Sequence, residues 1–169
     1  MTRPGGVKAS DGFDDKDLRI IMAMREDSRT PMGEIGQTLG ISKATVSRRV
    51  AKLEERGIIR GYCLDVDSSK LGVLKSIVSM QIVGSPVSHV IEQLVTYDEI
   101  GTIYKSFGDH NIVCEVYTVN VDALYDMIQT KLLKMPSVRN VEVDILVERM
   151  VVHRNADIAI YEGAQGKEG

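Results

Sequence analysis

The stretch ISKATVSRRVAKLEERGIIRGY, from Ile41 to Tyr62, carries six cations: Lys43, Arg48, Arg49, Lys52, Arg56 and Arg60. Only Glu54 and Glu55 oppose them. At 100° per residue Val46, Val50 and Leu53 fall on one narrow arc, with Ala44, Arg48, Ala51 and Glu55 opposite. Thr45, Ser47 and Lys52 flank the outer face, and Arg49 borders the apolar arc. This layout predicts a helix lowered N-terminus first into a DNA major groove. Ser42, Ala44, Thr45 and Ser47 are short and let the backbone approach. Arg48 can pair with a guanine edge through two bonds, while Lys43, Arg49 and Lys52 can reach phosphates. Solvated helix faces also collect charge, but they do not sort small residues, cations and acids into successive turns. The apolar arc is too narrow for a helix lying on a membrane.

The elements around this helix must hold it steady. Asp14 is an N-cap for a first helix over about 15–25, with Leu18, Ile21, Met22 and Arg25 at helical spacing. A second helix begins near Met32 after Thr30-Pro31, with Ile35 and Leu39 inward, and Gly40 stops it. The basic helix then opens at Ser42 and ends at Gly57. A short helix, the connection Gly40-Ile41-Ser42 and an immediate third helix make a helix-turn-helix pattern.

From Ile58 onward the apolar period changes. Strand Leu74–Val83, helix Pro86–Thr96, strands Gly101–Phe107 and Asn111–Val119, helix Val121–Lys134 and strand Val138–Val147 follow in order. The succession βαββαβ predicts a ferredoxin-like antiparallel sheet with both helices on one face. The fold class is therefore α+β, a helix-turn-helix domain followed by a ferredoxin-like domain. Domain bounds are read as 13–62 for DNA binding, 63–73 for a linker and 74–154 for the second domain. The Gly-rich, polar segments 1–12 and 155–169 read as a disordered and a flexible tail.

Charge divides along the same line. Residues 14–62 hold 10 Lys and Arg against 8 Asp and Glu, whereas residues 63–169 hold 9 against 15. Two modules with different partners are implied. No run of 18 apolar residues and no apolar leader occurs in the 169 residues, so the protein reads as cytoplasmic with no membrane partner. Cys63 and Cys114 read as buried, reduced thiols.

Over nearly its whole ordered length the chain resembles the Lrp/AsnC family, the feast/famine transcriptional regulators. The resemblance rests on Asp14, Asp17 and Ile20, on Ser28-Arg29, and on Leu39-Gly40-Ile41-Ser42. Thr45-Val46, Arg49-Val50, Leu53-Glu54, Gly57-Ile58-Ile59, Gly61-Tyr62 and Leu71-Gly72 continue it. Gly108 and the stretch LLKMPSV carry it into the C-terminal half. The resemblance implies a winged-helix-like DNA-binding domain and an amino-acid-sensing domain that assembles into dimers and larger homo-oligomers. An apolar open sheet face, with Ile77, Val83 and Val113, fits self-association. Paired helix-turn-helix units imply a palindromic site on double-stranded DNA.

In the family, a loop between the second and third strands has a Gly followed three residues later by an Asp, and it touches an amino-acid effector. Here the loop is Gly108-Asp109-His110-Asn111, so Asn111 replaces the acid. Asp109, His110 and Glu142 are then the groups able to supply polar contacts. Other readings are an assembly domain without an effector, an architectural DNA-binding protein, and an enzyme like the siroheme decarboxylases. The enzyme reading finds little in the residues. His89, His110 and His153 lack metal-ligand spacing, no phosphate loop or nucleophile elbow occurs, and no cofactor is expected.

Overall fold

The structure is a computed structural model that describes residues 14–165. The expected tail 1–12 lies outside the described residues. The described residues divide into two units, one of residues 14–64 with 151–165 and the other of residues 65–150.

In the first unit, α1 (Asp15–Glu26) starts where Asp14 and Asp17 cap each other. The Asp17 amide donates to the Asp14 carboxylate at 2.9 Å and the Asp14 amide to the Asp17 carboxylate at 3.1 Å. Amides that the first turn leaves without partners are thereby satisfied. α2 (Met32–Leu39) ends at Gly40, whose φ of +64° suits a glycine cap. α3 (Lys43–Glu55) follows at once, capped by Ser42. Ile20, Met24, Ile35, Val46 and Val50 form the shared core, with Ile59 packed against it. On α1 the inward apolar residues are Leu18, as expected, with Ile20 and Met24; Ile21 and Met22 are only half-buried. The buried stripe includes Asp17, whose charge Arg49 neutralises, and an apolar stripe read from sequence passes such a residue by. Residues 58–64, after α3, contain no assigned strand.

The C-terminal segment departs most from expectation. Within 155–169, read as a flexible tail, lies α6 (Ala156–Gln165), which belongs with α1, α2 and α3 in the first unit. Ile158 is buried. The Arg25 guanidinium donates to both carboxylate oxygens of Asp157, at 2.5 and 2.7 Å, and to the Arg154 carbonyl at 3.3 Å. ADIAIYEGAQ is too short to be stable alone, so these contacts supply what local propensity does not.

The Arg25 hydrogen bonds hold the Asp157 carboxyl at about 2, against an ordinary 3.8. A depressed carboxylate favours the folded arrangement above its unfolded value and loses that contribution as pH falls through the folded one. The clasp is thus complete above about pH 4 and fades towards pH 2. Followed by NMR, the Asp157 carboxyl carbon is expected to titrate near 2, and near 3.8 in Arg25→Met. A parent titrating near 3.8 would show that Arg25 does not hold it.

In the second unit the order is β1 (Leu74–Ile82), α4 (Val87–Leu94), β2 (Ile100–Lys105), β3 (Ile112–Thr118), α5 (Val121–Met127) and β4 (Val138–Leu146). The sheet runs β2-β3-β1-β4, all antiparallel, which is the expected ferredoxin-like arrangement. Alternate residues Val78 and Met80 of β1 and Ile112, Cys114 and Val116 of β3 pack with Val90, Leu94, Leu124 and Met127. Both helices therefore cover one face. After α5 the chain takes a π-helical turn, Ile128–Leu132, with the Leu133 amide donating to the Ile128 carbonyl at 2.9 Å. The extra residue shifts the helical phase beyond α5, where Leu132 and Met135 are buried; within α5, Leu124 and Met127 face the core and Tyr125 is exposed.

On the uncovered face Ile77, Val113 and Tyr117 are half-buried around a Lys75–Glu115 ion pair of 3.2 Å. Val83 lies past the end of β1 and is exposed. The expected linker 63–73 contains a 3-10 turn, Ser68–Leu71, capped by Asp67. Cys114 is buried, and desolvation pushes its thiol up to about 11; Cys63 is exposed, contrary to expectation. Among the described residues no helix is long and apolar enough to cross a membrane.

Candidate nucleic-acid interface and effector loop

On α3 the apolar arc behaves as the helical wheel requires: Val46, Val50 and Leu53 are at most 5% exposed. Lys43, Ala44, Ser47, Arg48 and Lys52 are exposed on the other side, and Thr45 is half-buried. Arg48 has no hydrogen bond, ion pair or ring contact among the described residues, so its guanidinium is available to a ligand. Ser42 caps the helix: its hydroxyl accepts from the Thr45 amide at 3.1 Å and lies 2.9 Å from the Thr45 hydroxyl. The last-turn acids are partly engaged, since the Tyr62 hydroxyl donates to Glu54 at 2.8 Å.

Arg49 is the exception among the expected phosphate ligands. Its Nη1 donates to Asp14 at 2.9 Å and to Asp17 at 2.8 Å, tying α3 to the first turn of α1. Partial burial works to raise the Asp14 carboxyl, but the Asp17 amide and Arg49 outweigh it and hold the carboxyl below its ordinary value. Arg49 therefore orients the helix rather than reaching outward. One-helix geometry had placed it at the border of the apolar arc, and the carboxylates that claim it sit 32 and 35 residues earlier.

In the second unit the structure brings His110 and Glu142 together: His110 Nε2 lies 3.6 Å from the Glu142 carboxylate and 3.4 Å from the Asn140 amide nitrogen. Gly108, at φ +141°, and Asp109 form the exposed tip of the loop. Asn111 is engaged by the main chain of β1. Its Oδ1 accepts from the Ile82 amide at 2.7 Å and its amide donates to Met80 at 2.9 Å, pinning the loop to the end of β1. One bond from its side chain and one from its main chain make Asn111 a bracket. Asn140 was not singled out from sequence. It is the one non-glycine described residue with positive φ, 45°, and it sits where the β1–β4 register slips between Met80 and Gln81. Asn tolerates that conformation, and a bulge re-aims side chains. An Asn inside a strand-like run was the only trace of it. Among the described residues no group of three His, Cys, Asp or Glu could hold a metal ion.

Known proteins give the same picture. A winged helix-turn-helix DNA-binding family model matches residues 13–60, and an Lrp/AsnC ligand-binding-domain model matches residues 75–156. The HTH-type transcriptional regulator LrpA of Pyrococcus abyssi is 35% identical over 138 residues, covering 81% of this chain and 98% of the relative. Regulatory protein AsnC of Haemophilus influenzae is 28% identical, covering 83% and 95%. Among solved structures, Escherichia coli AsnC aligns with a TM-score of 0.74 at 24% identity, over 83% of this chain and 95% of that one. A feast or famine regulatory protein from Mycobacterium tuberculosis, complexed with L-methionine, aligns with a TM-score of 0.75 at 24% identity, over 84% and 97%. These relatives are regulators rather than enzymes. With both modules matched in order and a relative spanned almost end to end, the chain belongs to the Lrp/AsnC family of helix-turn-helix transcriptional regulators.

Proposed function

We propose that this regulator acts in the cytoplasm as a homodimer or larger assembly, reading a palindromic duplex through the outer face of α3. Lys43, Ala44, Ser47, Arg48 and Lys52 make the contacts, with Ser42 and Thr45 at the leading end. One observation carries the reading: unpaired cations stand on a helix whose opposite face is locked into the core. Arg48 reads a base edge and the lysines meet phosphates. The half-apolar uncovered sheet face favours assembly through the second units. Selecting bound duplexes from a random pool tests it. One enriched palindrome, bound at least about a thousandfold tighter than random DNA, is expected. Equal affinity for all duplexes would mean an architectural protein instead.

The loop Gly108–Asn111, with Glu142 and Asn140, holds an amino-acid effector in this reading. His110 and Glu142 supply its polar contacts, because Asn111 is engaged by backbone. L-methionine in structural relatives supports an amino acid as the ligand class. Each of the twenty amino acids, at about 100 times its dissociation constant, is expected to add roughly 2.7 kcal/mol of stability if it binds. Thermal shifts should pick out one or a few, and Glu142→Gln should abolish them. A flat response to all twenty would remove the effector.

A further inference from the structure

α6 begins at residue 156, where the ligand-binding-domain match ends, and all of it after that first residue lies outside both matched family segments. It is nevertheless part of the DNA-binding unit. α1 is held at its two ends by ion pairs with different elements. Near its C-terminal end Arg25 grips Asp157 of α6 through both carboxylate oxygens. At its N-terminal end Asp14 and Asp17 grip Arg49 of α3. The helix that links these clamps is 12 residues long, a bar of roughly 18 Å.

We propose that α6 is a working fourth helix of the DNA-binding unit, and that Arg25 and Asp157 are positioning residues that set the recognition helix through α1. The inference rests on α3 being the element that contacts DNA. The pair joins residues 132 apart in sequence and brings the end of the chain back onto the first helix. Both carboxylate oxygens are used, which fixes direction as well as distance. Ile158, next to Asp157 and only 6% exposed, adds an apolar anchor to the ionic one. On the other side, Arg49 Nη1 is shared between the Asp14 and Asp17 carboxylates, which couples the position of α3 to that of α1. The Lrp/AsnC residues of this chain thus sit on a scaffold with one additional brace, attached to the strand β4 that carries Asn140 and Glu142 through residues 147–155.

The test uses the full chain and two duplexes, one selected from a random pool and one of random sequence, titrated over a range of salt. Arg25→Met and Asp157→Asn are each expected to weaken the selected duplex between about two- and thirtyfold. The double variant should be no weaker than the worse single, and the exchanged pair Arg25→Asp with Asp157→Arg should recover most of the loss. A tilted α3 also loses phosphate contacts, so the slope of log affinity against log salt should become shallower. A loss of folded protein would lower the active fraction and leave that slope alone. Parental affinity and slope in both single variants would overturn the proposal, as would a fall in active fraction with an unchanged slope. A parent that binds neither duplex would remove the role of α3 itself, and this inference with it.

Discussion

Gly36→Val is expected to unfold the DNA-binding unit and abolish duplex binding while the four-stranded sheet stays folded. Gly36 is buried in α2, and its carbonyl accepts from the Ile41 amide at 2.9 Å across the turn to α3. A Cβ built there would lie 2.6 Å from the Ile41 carbonyl oxygen and 3.4 Å from the Lys43 amide nitrogen. Both neighbours are backbone, so neither can rotate aside. Relief requires opening the connection that sets α3 against α2, or breaking the bond that closes it. Forcing volume into a packed site usually costs about 1–3 kcal/mol, and three carbons against main chain should reach the upper end or beyond. A small helical unit has little stability to lose. Gly36→Ala should fall between parent and Val. Hydrogen exchange would show the two outcomes apart: amides of α1, α2 and α3 lose protection and those of β1, β3 and β4 keep it. Unchanged protection throughout, in the valine variant, would mean that the turn is not closed as described.

The second large effect separates base reading from charge. Arg48→Ala should lower affinity for the selected duplex by about 1–3 kcal/mol, roughly five- to a hundredfold, and leave random DNA much less affected. Lys52→Ala should weaken every duplex alike and reduce the salt slope by about one. The distinction follows from placement: Arg48 is unpaired on the outer arc opposite Val46, Val50 and Leu53, and Lys52 lies on its flank. Arg49 behaves differently from both. Its substitution should cost stability through Asp14 and Asp17, because removing one partner of a part-buried charge network leaves the others uncompensated. Affinities of the Arg48 and Lys52 variants that fall in step on every sequence would contradict the base contact.

The sequence was most legible where local chemistry decides. Asp14 and Ser42 were placed at the starts of their helices, and each accepts from the amide three residues on. Gly40 ends α2 in the left-handed region, and the six elements of the second unit occur in the order that their periodicities give. What remained hidden depends on residues far apart in the chain. Arg49 looks like a phosphate ligand until α1 supplies its carboxylates. Asn111 looks like a ligand group until Ile82 claims its oxygen. The π-helical turn adds a residue that no fixed period anticipates. α6 is a short segment that reads as part of a tail, and the ion pair to the distant Arg25 and the burial of Ile158 give it anchors. Asn140 acquires meaning only from the bulge across from Met80.

Photo-crosslinking addresses the central claim most directly, with a benzoylphenylalanine placed at Ala44 on the outer arc of α3 and, as comparison, at exposed Tyr125 on α5. With the pool-selected duplex, Ala44→benzoylphenylalanine is expected to crosslink to DNA at sites repeated about one helical turn apart, and the Tyr125 derivative to remain unlinked. Crosslinking from position 125 with none from position 44 would place DNA on a different surface and contradict the assignment of α3 as the reading helix.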